Sequence, residues 1–215
     1  MAVDVLSATQ VSNDGAYTVD LSQPYIVSVK IEGVAAMLFH RWSCEDVEAK
    51  AKAAKGSAGK KTDNVEAYVY RTADGGLGIP GIYLKGSIAG PQGAAKFRQD
   101  PRSPRKSALD LYKAGVQVTT ELAPIMVGKG DDQHPAMKWD YLDRQRVTVQ
   151  RNGVTRERPA FWPGWTAMFE IAVLLPEYIP PADLHEVVVN AGRLVGLADF
   201  RPTYGRFRVV YFEIV

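Results

Sequence analysis

Apolar and polar positions partly alternate in Tyr25–Ile31 (YIVSVKI), which predicts a half-buried strand. Val34–Trp42 stays apolar and turns polar at His40–Arg41. Glu45–Lys55 (EDVEAKAKAAK) reads as a helix, its acids early and its lysines late, the arrangement the helix dipole favours. Gly56–Lys61 breaks it as a basic loop. Val65–Arg71 reads as a strand closed by the turn Asp74-Gly75-Gly76. Leu77–Leu84 is short and apolar, and a helix interrupted by two glycines and Pro91 is predicted to start near Lys85. Asp100–Lys106 (DPRSPRK) reads as a basic, proline-bearing loop and Ser107–Ala114 as a short helix. Leu122–Val127 and Arg146–Gln150 read as strands on either side of an acidic, glycine-rich loop at Gly128–Gln133. Arg151-Asn152-Gly153 carries the Asn-Gly signal of a tight hairpin, pairing Arg146–Gln150 with Val154–Arg158. Trp165–Leu174 is the candidate central strand. Asp183 is placed to cap a helix through Leu194, with Leu184, Val187, Val188, Ala191 and Leu194 at helical spacing, and Gly196 ends it. Arg206–Val215 is a terminal strand.

This order predicts an α+β fold: an antiparallel sheet with helices on one face, of the ferredoxin-like or RNA-recognition-motif class, carrying a β-hairpin insertion. No linker or fixed-period repeat divides the chain, so residues 1–215 read as one domain. Residues 118–160 form the hairpin insertion and residues 43–64 a helix and basic loop.

Composition adds exclusions. The chain has 215 residues, 46% hydrophobic and 23% charged, enough to build a core. No run approaches the roughly 20 apolar residues of a membrane-spanning helix. MAVDVLSATQ lacks a basic, apolar leader, so the chain reads as cytosolic, with no membrane partner. A single cysteine, Cys44, excludes an internal disulfide and a Cys-rich zinc site.

The net charge of +2 hides a strong segregation. Residues 49–61, 85–106, 144–158 and 193–208 carry +5, +5, +4 and +3, a total of +17 that leaves −15 for the rest. Such asymmetry points to a polyanion partner; the alternative is a set of unrelated solvated loops.

Phosphate-loop, dinucleotide, zinc-protease and serine-hydrolase motifs are all missing. His40, His134 and His185 show no ligand spacing and read as surface or capping residues, and Cys44 as a small packing residue. Asp131 and Asp132 read as solvating loop charges. The expected cofactor and metal content is none.

Four stretches remain. In Ile79–Ser87 (IPGIYLKGS), Lys85 beside a helix start suits a phosphate, or the stretch is an ordinary strand-to-helix turn. In Ala94–Lys106, Lys96, Arg98, Arg102, Arg105 and Lys106 interleave with Phe97, the composition of a single-strand groove or of a solvated helix end. In Gly196–Arg206, two glycines frame Phe200, Arg201, Tyr204 and Arg206, which suit a nucleic-acid backbone and one base, or a tight connection. Arg144–Phe161, with Arg146, Arg151, Arg156 and Arg158, reads as a basic arm, and Trp162 and Trp165 as core. Lys60 and Lys61, in the basic loop, join the candidate nucleic-acid contacts.

IPGIYLKGS resembles the IPGxxLKG signature of the RAMP superfamily, specifically the backbone subunits of CRISPR effector complexes. YIVSVKIEG resembles their opening strand, RVTVQRNGVTRERPAFWPGWTAMFEIAVL their hairpin arm and central strand, and AGRLVGLADFRPTYGRF their glycine-rich loop. The resemblance implies a modified RNA-recognition-motif fold that tracks a nucleic-acid backbone without sequence preference and assembles side by side into a helical homo-oligomer, with other effector subunits as further partners. It implies that Lys85 contacts phosphate, that Lys96–Lys106 lines the groove, that Arg146–Arg158 belongs to a thumb-like hairpin, and that Arg201, Tyr204 and Arg206 act from the glycine-rich loop. The chain is short and its loop less glycine-rich than in those subunits, which also fits a standalone phage or plasmid relative. The expectation is therefore a single-stranded RNA- or DNA-binding protein. Two other readings stand beside it: a metal-independent RAMP endoribonuclease using His40, and a structural protein-interaction module.

Overall fold

The computed structural model describes residues 9–11, 17–19, 22–41, 64–149 and 152–215, together with Cys44, Glu48 and Lys52, which are helical and exposed. Lys60, Lys61 and Arg151, most of the helix expected over Glu45–Lys55 and the loop Gly56–Lys61 lie outside the described residues. Exposed Cys44 is not the packing residue expected.

A hairpin of β1 (Thr9–Val11) and β2 (Tyr17–Val19) precedes the main body. In β3 (Tyr25–Gly33) every second residue, Tyr25 to Gly33, is buried, so the strand has one core face as its alternation predicts. β4 (Met37–Leu38) follows. β5 (Gly78–Pro80) runs directly into α1 (Gly81–Ala89). β6 (Gln99–Asp100) and β7 (Ser103–Ser107) form a small hairpin before α2 (Leu109–Gly115) and β8 (Val116–Val118). Short strands β9 (Leu122–Pro124), β10 (Met126–Val127) and β11 (His134–Pro135) lead to the long hairpin of β12 (Tyr141–Val149) and β13 (Asn152–Phe161). Then come β14 (Thr166–Val173), α3 (Pro181–Asn190), a π-helical turn at Ala191–Val195, and β15 (Phe207–Ile214).

The central sheet is antiparallel, in the order β15–β3–β14, with β8 and β10 both on the far edge of β14. In this layer the chain runs strand, helix, strand, strand, helix, strand, the ferredoxin-like succession. The fold is the α+β antiparallel class the sequence predicts. Leu84 and Ile88 of α1 and Leu184, Val187 and Val188 of α3 pack on Val27, Val29, Ile31, Phe169 and Ile171, all essentially inaccessible. No helix among the described residues is long and apolar enough to cross a membrane.

Several elements differ from expectation. Val65–Tyr68 is a 3-10 turn, not a strand, and only Arg71 bridges Leu77. α1 begins at Gly81, because Pro80 sets an extended entry and a Cβ at Gly81 would collide with the Thr120 carbonyl. The basic DPRSPRK stretch is a hairpin, fastened by the Asp100–Arg102 ion pair at 2.8 Å. The guanidinium and backbone N–H of Arg102 hold the Asp100 carboxyl at about 2. Leu122–Val127 splits between two sheets. The long hairpin pairs Val149 with Asn152, so Asn152-Gly153 lies within the paired strands rather than at the turn. Its register is set at the buried end, where Ala160 and Phe161 pair with Leu38 and Met37. Asp183 does not cap α3: Pro180 occupies the cap and Pro181 starts the helix.

Candidate functional site

The segment Gly196–Arg206 between the π-turn and β15 is held in an unusual shape. Gly196 and Gly205 have φ of +77° and +72°, and Ala198 and Phe200 also lie in the left-handed region. Asp199 N–H donates to the Leu38 carbonyl and Gly205 N–H to the Ala36 carbonyl, while Leu197 N–H donates to Gly205. These bonds fix the loop on the chain that follows β3.

The base of the long hairpin grips the loop. Arg158 is 5% exposed, and its Nε donates to Asp199 Oδ2 at 2.6 Å. Its guanidinium lies 4.4 Å from the Phe200 ring centroid. Gln145 Nε2 donates to the Tyr204 hydroxyl at 2.9 Å. Asp143 sits opposite Arg158 in the register. Arg158 Nη1 and Asp143 Oδ2 are buried without a hydrogen-bond partner.

Beside the loop is an open cleft of about 160 Å³, lined by His40, Ile82, Tyr83, Gly86, Ala198, Asp199 and Arg201. His40 Nδ1 is 3.9 Å from Asp199 Oδ2, and its ring stands edge-on to Tyr68 at 4.6 Å. Burial and a hydrogen bond to Tyr70 push the Tyr83 phenol up. Arg41 lies over Tyr70 at 5.1 Å. Ile82, 73% exposed, separates this cleft from a larger one of about 550 Å³ lined by Tyr70, Lys85, Gln117 and Glu121, among others. No cluster of three His, Cys, Asp or Glu that could hold a metal lies among the described residues.

The site residues expected from sequence divide into groups. On the loop, Arg201 lines the cleft, Tyr204 is held by Gln145 and Arg206 is exposed at the C-terminal end, and Arg158 is bonded to Asp199 of the same loop. Arg105, Lys106, Arg146, Arg201 and Arg206 are exposed and pair with no carboxylate among the described residues. The Lys85 ammonium donates to the carbonyls of Tyr112, Lys113 and Val116, which uses its three donors and caps the end of α2. Burial lowers its pKa. Arg98 ion-pairs with Asp183 and Glu186, both at 2.6 Å, and Arg102 with Asp100. Lys96 reaches Gln92 and lies over the exposed Phe97. Arg156, half-buried, is opposite Gln145. Arg98 thus meets the start of α3, while the turn at Ala94–Phe97 packs on both that helix and the π-helical turn that leads into Gly196–Arg206.

His134 and His185 are exposed, the first turned onto the Asp132 carbonyl and the second against Phe212. Asp131 and Asp132 are exposed in a 3-10 turn. Trp165 is buried as expected, but Trp162 is 58% exposed and stacks on Tyr141 at 4.0 Å. The reason is local: Asp140 accepts the Trp162 N–H, and the chain turns outward at Pro163-Gly164 before Trp165.

The outer face of the central sheet offers less. Arg208 is paired with Glu32, Lys30 bonds Gln133, and Tyr211 donates to Glu213. With exposed Glu170 of β14 on the same face, its acids outnumber its bases.

No family model matches the chain, and no curated protein does. Among solved structures it is similar to a chain of the Type III-B Cmr-beta assembly bound to cognate target RNA, determined by cryo-EM, with a TM-score of 0.42 and 15% identity. The match covers 89% of this chain and 61% of that one, so this chain spans about three-fifths of the length of its neighbour.

Proposed function

We propose that the protein is a RAMP-type single-stranded nucleic-acid binder that contacts backbone phosphates without reading sequence and assembles side by side along the strand. One observation carries this reading: a loop of fixed, strained backbone presents Arg201 in the lining of an open cleft beside Ile82 and Tyr83, and Arg206 exposed at its end, neither paired with a carboxylate among the described residues. Cations held on a rigid support and spared from ion pairs are what phosphate recognition requires. The succession of elements and the place of the glycine-bearing loop, between the last helix and last strand, support the superfamily assignment. Arg146 on the hairpin and Arg105 and Lys106 on the β6–β7 hairpin are further contacts to the same strand, supported by their exposure and, among the described residues, by the absence of an ion pair within 4 Å. Side-by-side assembly is supported by the hairpin, whose outer strand β12 pairs, among the described residues, with β13 alone.

The test is a salt titration of an Arg201→Ala/Arg206→Ala variant against single strands of several sequences. Affinity falls about tenfold for all of them alike, and the salt slope shrinks by about 0.7 for each lost phosphate contact. A variant equal to wild type in both removes this cleft as the binding surface.

The geometry of His40 favours a second reading, metal-independent RNA cleavage. The imidazole faces Asp199 in a cleft that also holds Arg201 and Tyr83, an arrangement suited to general acid or base work. Cleavage of hairpin RNA by wild type, lost in His40→Ala with binding retained, establishes it. An inert wild type excludes it.

A further inference from the structure

We infer that Trp162, backed by Tyr141, is a stacking platform for a single nucleobase; this rests on the single-strand-binding reading above. The rings are 4.0 Å apart and 20° from parallel, so Tyr141 covers one face of the indole. An indole covered on one face yet 58% exposed has its other face toward solvent. Its backbone is tied by the Asp140 carboxylate, and Tyr141 is anchored in the paired register opposite Ala160. The platform is therefore preorganised, and little rotamer freedom is lost when a flat ring lands on it.

The occupant follows from size and continuity. Leu142 points to the other face of the hairpin, and Met137 lies over the turn at Gly75, so neither extends the exposed ring into a broad apolar patch. One indole offers on the order of 150 Å², far below the area of a stable protein interface and matched to a base. Tyr141, Asp143 and Gln145 share one face of β12, and on that face Gln145 bonds Tyr204 of the cationic loop. The hairpin from Gln145 to Tyr141, four residues or roughly 13 Å of strand, therefore separates the cationic loop from the indole, a span that a single strand can bridge.

The experiment compares wild type, Trp162→Ala and Trp162→Phe on oligouridylate, oligothymidylate and abasic backbones of equal length. Base-bearing strands should bind Trp162→Ala about tenfold more weakly than wild type, with Trp162→Phe close to wild type. The abasic strands should bind all three proteins equally. Indole fluorescence of wild type should be quenched by the base-bearing strands and not by the abasic ones. Equal affinities of Trp162→Ala and wild type for base-bearing strands, or equal losses on abasic ones, overturn the platform while leaving the phosphate surface standing. A wild type that binds none of the strands overturns both.

Discussion

Gly205→Ala should lower stability by about 3 kcal/mol or more and abolish single-strand binding. Gly205 holds φ of +72°, where any Cβ is strained, and a methyl group would collide with the Leu197 carbonyl oxygen. Its N–H is also the bond that ties the loop to Ala36. The loop cannot keep both that anchor and an L side chain, so the platform for Arg201 and Arg206 is lost. Gly86→Ala is the matching control for stability. It lies mid-helix in α1 with no neighbouring atom within 4 Å of the added methyl, and should be neutral or stabilising by up to about 1 kcal/mol. Chemical denaturation of the two variants reads the difference directly. Similar destabilisation of both would contradict the strained-loop account.

Arg158→Met should cost about 2–3 kcal/mol and loosen the loop from the hairpin. The guanidinium is almost wholly buried, but Asp199 keeps a third of its side chain in water, so the cost falls below that of a fully buried pair. What remains is a half-buried carboxylate with the His40 imidazole 3.9 Å away. Phe200 also loses the cation over its ring. Adding Asp199→Asn to Arg158→Met should restore part of the loss, because the stranded charge is removed. A double variant as unstable as the sum of the two single ones would show that the residues act independently.

Much of the sheet and α3 was legible because their cause is local. The alternation of Tyr25–Gly33 and the apolar stripe of Leu184, Val187 and Val188 each state which face is buried. Val65–Tyr68 misled because its apolar residues are recruited by tertiary contact: Tyr68 packs on His40, and the backbone of Arg41 donates to the Tyr68 carbonyl. The segment satisfies itself with a 3-10 turn and needs no strand partner.

The site was legible as composition but not as geometry. Six basic residues in Lys85–Lys106 look like one groove in the sequence. In the fold, Arg98 is neutralised by acids 85 and 88 residues away and Arg102 by its neighbour Asp100, while the three donors of Lys85 are taken up by carbonyls beyond α1. Long-range pairing decides which cations are left for a ligand, and spacing along the chain carries no trace of it. Trp162 shows the converse. Beside Phe161 and Trp165 it reads as core, yet the Pro163-Gly164 turn carries it out to solvent. That dipeptide was the available signal.

The most direct test of the central claim is titration of the wild-type protein with labelled single-stranded RNA, single-stranded DNA and duplex DNA across a range of salt. The account predicts tight binding to a single strand that weakens linearly in log affinity against log salt, alike for unrelated sequences. Absence of binding to any of the three at low salt would contradict it.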